Sequence, residues 1–265
     1  MSEKIRVAVL GACGKMGREV VKAVAEADDT ELVGACDVAH IGSNIGDVAG
    51  VSGLNVNVES DFETMLKNSK PDVVTDFAKP FKMENIRFAL ANGVVPIIGT
   101  TGLTPEELGE INELASSNSI GAMVIPNFAI GAVLMMKFAS EAAKYMPDVE
   151  IIELHHDKKV DAPSGTAIKT AEMIDEARIS ANVEATKPLG GDDPARGEER
   201  SGVHIHSVRL PGLVAHQEVL FGSQGQILTI RHDSIDRTSF MPGVLLAVRR
   251  AAYTKGLVYG LDKLL

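Results

Sequence analysis

The residues best suited to chemistry in this chain lie in one segment, ELHHDKKVDAPSGTA, at positions 153–167. His155 or His156 can carry a proton near neutral pH, and Lys159 supplies a positive charge together with hydrogen-bond donors. The run SGT at 164–166 precedes a helical pattern, and the free N–H groups in the first turn of a helix can bind a carboxylate. A proton donor, a cation and an anion-binding turn together favour the reduction of an anionic imine.

A second candidate site is a glycine-rich turn near the start of the chain. Gly11, Gly14 and Gly17 form a Gly-x-x-Gly-x-x-Gly pattern between a strand-like run and a helical run. Glycines let a pyrophosphate approach the backbone, and the helix N-terminus offers it N–H groups and a positive dipole end. Asp37 then ends the second strand, where a carboxylate can accept hydrogen bonds from the ribose of adenosine. The combination predicts dinucleotide binding, and the alternative for Asp37 is a solvated acid at a strand end.

The elements that must position these residues follow two patterns, of which the first extends to position 127. Short apolar runs alternate there with helical patterns, which predicts a Rossmann-type α/β fold with a doubly wound parallel sheet. Strands are expected at 5–12, 30–37, 71–78, 94–101 and 121–127, and helices at 15–27, 84–93 and 104–118. Thr104 is the expected N-cap of the last helix, with Pro105 at its first position. A glycine-containing loop is expected after the second strand, through Gly53.

After position 127 the pattern changes to that of an α+β domain. A long helix is predicted over 129–146, a strand over 149–156 and a helix from 164. Three further strands are predicted at 203–210, 213–221 and 226–234. Their connections are short, so we expect consecutive strands to pair antiparallel. Such an open, mixed sheet in a small domain is expected to pack against another copy of itself.

The predicted division of the chain follows from this change of pattern. A dinucleotide-binding domain is expected over 1–127, completed by a C-terminal helical segment within 238–265. A substrate-binding and oligomerisation domain is expected over 128–237. Inside it, the run at 186–202 is rich in glycine, proline and charge, which is typical of a long, mobile loop.

Composition limits the partners that the chain can have. Its 265 residues are 45% hydrophobic and 23% charged, which is typical of a globular protein, and no apolar run approaches the length of a membrane span. A formal net charge of -10 argues against nucleic acid or anionic membrane as the main partner, although a local basic pocket can still bind an anionic small molecule. With only two cysteines and no visible signal peptide, we expect a cytoplasmic protein.

The segment at 153–167 closely resembles the E-x-HH-x-x-K-x-DAPSGTA signature of the dihydrodipicolinate reductase family. Four other runs resemble motifs of that family in the same order: GACGKMG at 11–17, DFAKP at 76–80, GTTG at 99–102 and PNFAIGA at 126–132. The resemblance extends from Ile5 to the C-terminal helix. It implies NAD(P)H-dependent reduction of dihydrodipicolinate, supplied as 4-hydroxy-tetrahydrodipicolinate, to tetrahydrodipicolinate in lysine and diaminopimelate synthesis.

The resemblance also implies residue roles. His155 is the candidate general acid, and Lys159 is a companion proton donor or charge stabiliser. The implied ligands of the cyclic dicarboxylate substrate are His156, Lys159, Ser164, Gly165 and Thr166. The implied ligands of NADH or NADPH are Gly11, Ala12, Gly14, Lys15, Met16, Gly17, Asp37, Gly99, Thr100, Thr101, Pro126, Asn127 and Phe128. The family further implies a homotetramer assembled through the open sheet.

One departure bears on the choice of cofactor. Some family members follow the ribose-binding acid with an arginine, whereas here Asp37 is followed by Val38 and Ala39. A carboxylate repels the extra phosphate of NADPH unless a cation intervenes, and Lys15 and His40 are the cations available. We therefore expect good use of NADH and leave NADPH open.

Other interpretations stay open at this point. Another two-domain Rossmann reductase of aspartate-family amino acid metabolism would share the glycines and Asp37 without needing the segment at 153–167. A non-catalytic dinucleotide sensor would keep the glycines and lose His155 and Lys159, yet the chain has both.

Two further residue pairs are expected to have no redox or metal-binding role. Cys13 and Cys36 lack CxxC spacing and are expected to be small apolar fillers. His204 and His206 could suggest a metal site, but no cysteine or carboxylate cluster accompanies them. We therefore expect no metal, and we expect both histidines to line an exposed or subunit-facing strand surface.

Overall fold

The computed structural model describes residues 3–186 and 193–265. They form two compact units, of which the first extends to Phe128 and resumes at Phe240, and the second covers Ala129–Ser239. The boundaries expected from the sequence, after 127 and after 237, lie within two residues of these.

The strands and helices are numbered in chain order. The strands are β1 (Ile5–Leu10), β2 (Thr30–Cys36), β3 (Val58–Glu59), β4 (Val73–Asp76), β5 (Val95–Ile98), β6 (Gly121–Val124), β7 (Asp148–His155), β8 (Glu198–Arg200), β9 (Val203–Arg209), β10 (Ala215–Ser223), β11 (Gln226–Ser234) and β12 (Gly256–Tyr259). The helices are α1 (Lys15–Glu26), α2 (Ile45–Ala49), α3 (Phe62–Ser69), α4 (Met83–Ala91), α5 (Pro105–Ser117), α6 (Ile130–Ala143), α7 (Gly165–Ala181) and α8 (Met241–Arg250). None of the helices in the described ranges is long and apolar enough to span a bilayer.

The first unit contains a parallel sheet in the order β12-β6-β5-β4-β1-β2-β3. Apolar residues on β1, β4, β5 and β6 are buried because helices cover the sheet, as an all-parallel sheet requires. The strand order reverses between β1 and β4, and ligands of such sheets bind outside the strand ends at this switch point. This confirms the predicted Rossmann-type class. Thr104 also caps α5 as predicted, and it forms a capping box with Glu107.

The first unit contains short elements that the sequence did not predict, among them β3 and α3 between Gly53 and β4. The loop expected through Gly53 contains α2, which is capped by the Asn44 side chain. After α8, the chain adds β12 to the edge of the sheet beside β6, where only a terminal helix was expected. Short elements of this kind lack a full hydrophobic period, so their patterns in the sequence are weak.

The second unit contains a mixed sheet in the order β11-β10-β7-β9-β8. Helices α6 and α7 pack against one face, where Ile151, Ile174, Val219 and Phe221 are buried. Side chains of the opposite face alternate with these and are less buried. The predicted α+β unit with an open, mixed sheet is therefore confirmed.

The expected pairing of β9 with β10 is wrong, because β7 lies between them. β7 pairs parallel with β9 and antiparallel with β10. The connection from β9 passes over the end of β7, where Leu210 N–H donates to the His155 carbonyl oxygen at 3.1 Å. A connection of about five residues can span two inter-strand spacings of about 4.8 Å, so a short loop did not require neighbouring strands.

The expected loop at 186–202 is partly replaced by structure. Pro194–Arg196 form a turn of 3-10 helix and β8 pairs antiparallel with β9, so the expectation is wrong for these residues. Positions 187–192 lie outside the described residues.

Candidate active site

The glycine-rich turn between β1 and α1 has almost no space for side chains. Gly11 adopts a φ of +76°, and a Cβ there would lie 2.8 Å from the Ala78 nitrogen. A Cβ on Gly17 would lie 2.0 Å from the Gly11 carbonyl oxygen. The first bond inside α1 is donated by Arg18 to Gly14, so the N–H groups of the preceding first turn are directed out of the helix end. This turn can cradle a pyrophosphate through its backbone.

Asp37 lies beside this turn because β2 pairs with β1. Its Oδ2 accepts a hydrogen bond from Cys13 N–H at 2.8 Å, and its Oδ1 accepts one from Ala39 N–H at 3.0 Å. The two bonds fix the carboxylate and leave further lone pairs for a ribose. Val38, the residue after Asp37, is 89% exposed.

The two cysteines flank this site and are both buried. Burial, reinforced by the nearby Asp37, raises the pKa of the Cys36 thiol to about 12. The same two causes raise the pKa of Cys13. Since the thiolate is the reactive form, both residues act as small packed side chains.

The ends of β4, β5 and β6 form the next part of the same sheet edge. Thr100 Oγ1 donates to the Ala78 carbonyl oxygen at 3.2 Å. The rings of Phe77 and Phe128 lie 5.5 Å apart, and a Cβ on Gly99 would collide with the Phe77 ring. The fold therefore brings the GTTG and PNF runs to the strand ends beside the glycine turn.

Asp76, the last residue of β4, is the buried ionisable group of this edge. Its Oδ1 accepts a hydrogen bond from Ala78 N–H at 2.9 Å, while its buried Oδ2 has no partner among the described residues. Burial raises the pKa of Asp76 to about 6, and the bond from Ala78 opposes this only in part.

In the second unit, β7 delivers the two histidines and α7 delivers the anion-binding turn. The Ser164 hydroxyl caps α7 by accepting from Ala167 N–H, so Gly165 and Thr166 occupy the first turn. A Cβ on Gly165 would meet no atom within 4 Å, which leaves open space over this turn. His156 Nδ1 is buried without a hydrogen-bond partner within 3–186 and 193–265, as expected of a group that a ligand would satisfy.

Glu153 lies under this segment and is fully buried. Its Oε2 lies 2.5 Å from His155 Nδ1, and its Oε1 accepts from Ser164 N–H at 3.1 Å. Arg209, at the end of β9, binds both oxygens with Nη1 and Nη2 at 2.8 and 2.7 Å. Burial would raise the pKa of Glu153, but hydrogen bonds from His155, Arg209 and Ser207 outweigh it and lower that pKa to about 2. Glu153 is therefore a fixed negative charge.

Lys159 lies in the loop between β7 and α7. Its Nζ pairs with Asp161 Oδ2 at 2.7 Å. The backbone N–H of Lys159 donates to the His156 carbonyl oxygen. The bond from Lys159 lowers the pKa of Asp161. The lysine side chain is 21% exposed.

Comparisons with known proteins bear on these two sites together. Residues 5–128 match the family model described as dihydrodipicolinate reductase, N-terminus, and residues 131–265 match dihydrodipicolinate reductase, C-terminus. The chain belongs to the dihydrodipicolinate reductase family. This confirms the resemblance found in the sequence.

Individual relatives of the family agree over the full length. A 4-hydroxy-tetrahydrodipicolinate reductase of Syntrophomonas wolfei is 53% identical and is aligned over 100% of both chains. One from Listeria monocytogenes is 53% identical over 98% of this chain and 100% of its own. A dipicolinate-bound dihydrodipicolinate reductase from Paenisporosarcina sp. TG-14 has a TM-score of 0.86 and 48% identity, covering 99% and 100% of the two chains. An amine dehydrogenase from Mycobacterium smegmatis, 15% identical with a TM-score of 0.69, covers 97% and 95% and shares the fold.

Two polar residues at this reductase site had no role in the sequence-based interpretation. Glu153 was visible within the family signature, and its position two residues before His155 on an alternating strand indicated a shared, inward face. Arg209 had no local signal. Only the register of β7 with β9, which places His155 opposite Arg209, reveals it.

His204 and His206 share one face of β9, opposite the buried Val203 and Ile205. His206 Nε2 lies 2.7 Å from Glu150 Oε2. Within the described ranges, no group of three or more histidine, cysteine or acidic side chains has the geometry to hold a metal ion.

Proposed function

We propose that this protein catalyses the reduction of 4-hydroxy-tetrahydrodipicolinate to tetrahydrodipicolinate by NADH or NADPH, with the hydroxyl group of the substrate lost as water, within lysine and diaminopimelate synthesis. The observation that carries the proposal is the cluster of His155, Lys159 and the first turn of α7, in a chain that matches its reductase relatives from end to end. The first unit also contains the glycine-rich turn between β1 and α1, which a dinucleotide cofactor needs.

The nucleotide site fits a dinucleotide on structural grounds. The close contacts at Gly11 and Gly17 exclude side chains where a pyrophosphate would approach, and the first turn of α1 offers free N–H groups. We assign pyrophosphate binding to Gly11, Ala12, Gly14, Lys15, Met16 and Gly17. Gly99, Thr100, Thr101, Pro126, Asn127 and Phe128 are assigned to the nicotinamide end. When bound, the cofactor supplies the hydride.

The substrate is a cyclic dicarboxylate, and the second unit offers matching donors. The Paenisporosarcina relative binds dipicolinate, a planar dicarboxylate. In this chain the N–H groups of Gly165 and Thr166, with Ser164 capping the turn, suit one carboxylate. Lys159 and His156 supply the remaining charge and hydrogen bonds. These contacts orient the ring.

The proton in this reaction comes from His155. Because a carboxylate only accepts hydrogen bonds, His155 Nδ1 must donate to Glu153, which leaves Nε2 for the substrate. Negative charge develops on the nitrogen side of the substrate ring during reduction. In the imidazolium form of His155, Nε2 also carries a proton and delivers it there, while the ammonium group of Lys159 stabilises the charge. The neutral imidazole that remains keeps its proton on Nδ1.

We further propose that NADH is the better cofactor. The carboxylate of Asp37 is fixed by two backbone N–H groups beside the ribose position, so it can accept from both ribose hydroxyls. An added 2′-phosphate would lie near this fixed negative charge, and the exposed Val38 offers no compensating cation.

The open face of the second sheet supports assembly into a homotetramer. Five apolar side chains lie on the face opposite α6 and α7: Ile152, Leu154, Val208, Leu220 and Ile227. Ile227 is 77% exposed in the single chain. A sheet face of this kind is stabilised by packing against a second copy. With both thiols free, we place the assembly in the reducing cytoplasm.

The test is a direct assay of the purified protein. NADH consumption is followed by the loss of its absorbance, with substrate made in place by the preceding synthase. We expect turnover that depends on both components. Absence of substrate-dependent NADH loss from folded, NADH-binding protein would refute the proposed activity.

A further inference from the structure

We propose that Arg209 is a positioning residue that holds both candidate catalytic side chains, His155 through Glu153 and Lys159 through the backbone of its loop. This inference rests on the proposed function, because it takes His155 and Lys159 as the groups that act on the substrate. Arg209 lies on β9, far in sequence from the segment at 153–167.

The first contact of Arg209 organises His155. Its Nη1 and Nη2 bind the two oxygens of Glu153 at 2.8 and 2.7 Å, and the same carboxylate lies 2.5 Å from His155 Nδ1. A two-point contact between guanidinium and carboxylate fixes the plane of the carboxylate, unlike a contact with a point charge. The carboxylate plane in turn sets the direction of the His155 ring, and hence of Nε2.

The second contact organises the loop. Arg209 Nη2 also donates to the Asp161 carbonyl oxygen at 2.8 Å, and the side chain of Asp161 pairs with Lys159. Glu153 Oε1 accepts from Ser164 N–H at the other end of the same loop. One guanidinium group therefore links the end of β7, the loop that carries Lys159 and the start of α7.

Because these charged groups are buried, breaking their contacts destabilises the folded protein. Glu153 is fully buried and the Arg209 side chain is only 18% exposed. A buried carboxylate that loses its cation is strongly destabilised, and it reorganises or takes up a proton. Either outcome changes the position of His155.

The same strand offers a control cluster of the same residue types in a more exposed position. Glu150, on the opposite face of β7, is also bound by an arginine and a histidine, Arg196 and His206. This second cluster has the same residue types but lies away from the segment at 153–167. It separates the general cost of breaking an Arg-Glu-His cluster from an effect on the candidate catalytic groups.

The experiment compares Arg209→Lys, Arg209→Met and Glu153→Gln with Arg196→Lys. We expect the three site variants to lower kcat by about 10- to 100-fold, the range for losing a positioned proton donor, with an unchanged Kd for NADH. Arg196→Lys should keep kcat within about twofold. Arg209→Lys is the most informative variant, because it keeps the charge and loses the two-point contact.

Two further measurements keep the test decisive. If Arg209→Met fails to fold, combining it with Glu153→Gln removes the unpaired buried carboxylate. The double variant should recover the fold but not kcat. In a His155→Gln background, Arg209→Lys should lower kcat much less than in the wild type, because its main route is already lost.

The outcomes distinguish the inference from the proposed function. Inactive wild-type protein would refute the proposed function before Arg209 is considered. Active wild type with full kcat in Arg209→Lys would overturn the role of Arg209, as would equal losses of kcat in Arg196→Lys.

Discussion

Asp76 in the first unit and Glu153 in the second are both buried carboxyl groups near the carboxyl ends of strands, with 1% and 0% exposure. Asp76 receives one hydrogen bond from a backbone N–H, whereas Glu153 contacts Arg209 twice, His155 and Ser164. Burial raises the pKa of Asp76 to about 6, and partners lower the pKa of Glu153 to about 2 despite burial.

The comparison teaches that partners, and not burial alone, decide the charge of a buried acid. In the second unit, Glu153 keeps its negative charge beside His155, the proposed proton donor, over the physiological pH range. In the first unit, burial raises the pKa of Asp76 to about 6, because the single hydrogen bond from Ala78 N–H compensates only in part for the lost hydration. The two regions should therefore respond oppositely to pH.

The largest expected effect is on the pH dependence of stability. In Asp76→Asn, the cost of ionising Asp76 in the folded state disappears. The folded-state pKa of Asp76 is raised from 3.8 to about 6. As pH rises through that window, the free energy of unfolding of the wild type should therefore fall by roughly 3 kcal/mol relative to this variant, and the difference should persist at higher pH. Urea unfolding from pH 4 to 8 measures the difference.

Glu153→Gln tests the other carboxyl group, for which the pH dependence of stability should have the opposite sign. The pKa of Glu153 is lowered from 4.5 to about 2, so its contribution is present above pH 4.5 and is lost as pH falls towards 2. A constant difference from wild type at every pH, for either variant, would contradict the contrast between the two carboxyl groups.

The next effect is on the side chain that Glu153 holds. His155→Gln removes the proposed proton donor and should lower kcat by about 10²-fold while leaving the Kd for NADH unchanged, since the proposed cofactor residues are in the first unit. Steady-state kinetics and NADH titration measure the two quantities. Wild-type turnover in this variant would remove His155 from the mechanism.

A smaller effect is expected at the cation of the second unit. Lys159→Ala should weaken binding of pyridine-2,6-dicarboxylate by about 2 kcal/mol, which is in the range for a hydrogen bond to a charged group. Calorimetry with NADH present measures the change. Lys158→Ala is the neighbouring control, and an equal loss in both variants would point to general electrostatic attraction.

The smallest effect concerns the carboxylate of the nucleotide site. Asp37→Ser combined with Val38→Arg replaces a repulsive charge by an attractive one, and should shift the kcat/KM ratio towards NADPH by at least about tenfold. The ratio for each cofactor is measured at a fixed substrate concentration. An unchanged ratio would show that the ribose is read elsewhere, with Lys15 as the next candidate.

Much of the fold and of the candidate site could be predicted from the sequence, because the patterns that indicate them are local. The spacing of Gly11, Gly14 and Gly17, the cap at Thr104 and the alternation of strands with helices each depend on neighbours a few residues away. The segment at 153–167 also places its histidines, lysine and helix start within one loop. These features determined the class of fold, the family and most of the candidate site.

Tertiary structure decided what depends on long-range register and burial. The insertion of β7 between β9 and β10, the addition of β12 to the sheet edge and the pairing of Arg209 with Glu153 join residues that are distant in sequence. The opposite pKa shifts of Asp76 and Glu153 arise in the same way, because a carboxyl group's pKa follows from what the fold places around it. A single sequence carries hydrophobic period and local caps, but it does not carry the partners that meet across a sheet.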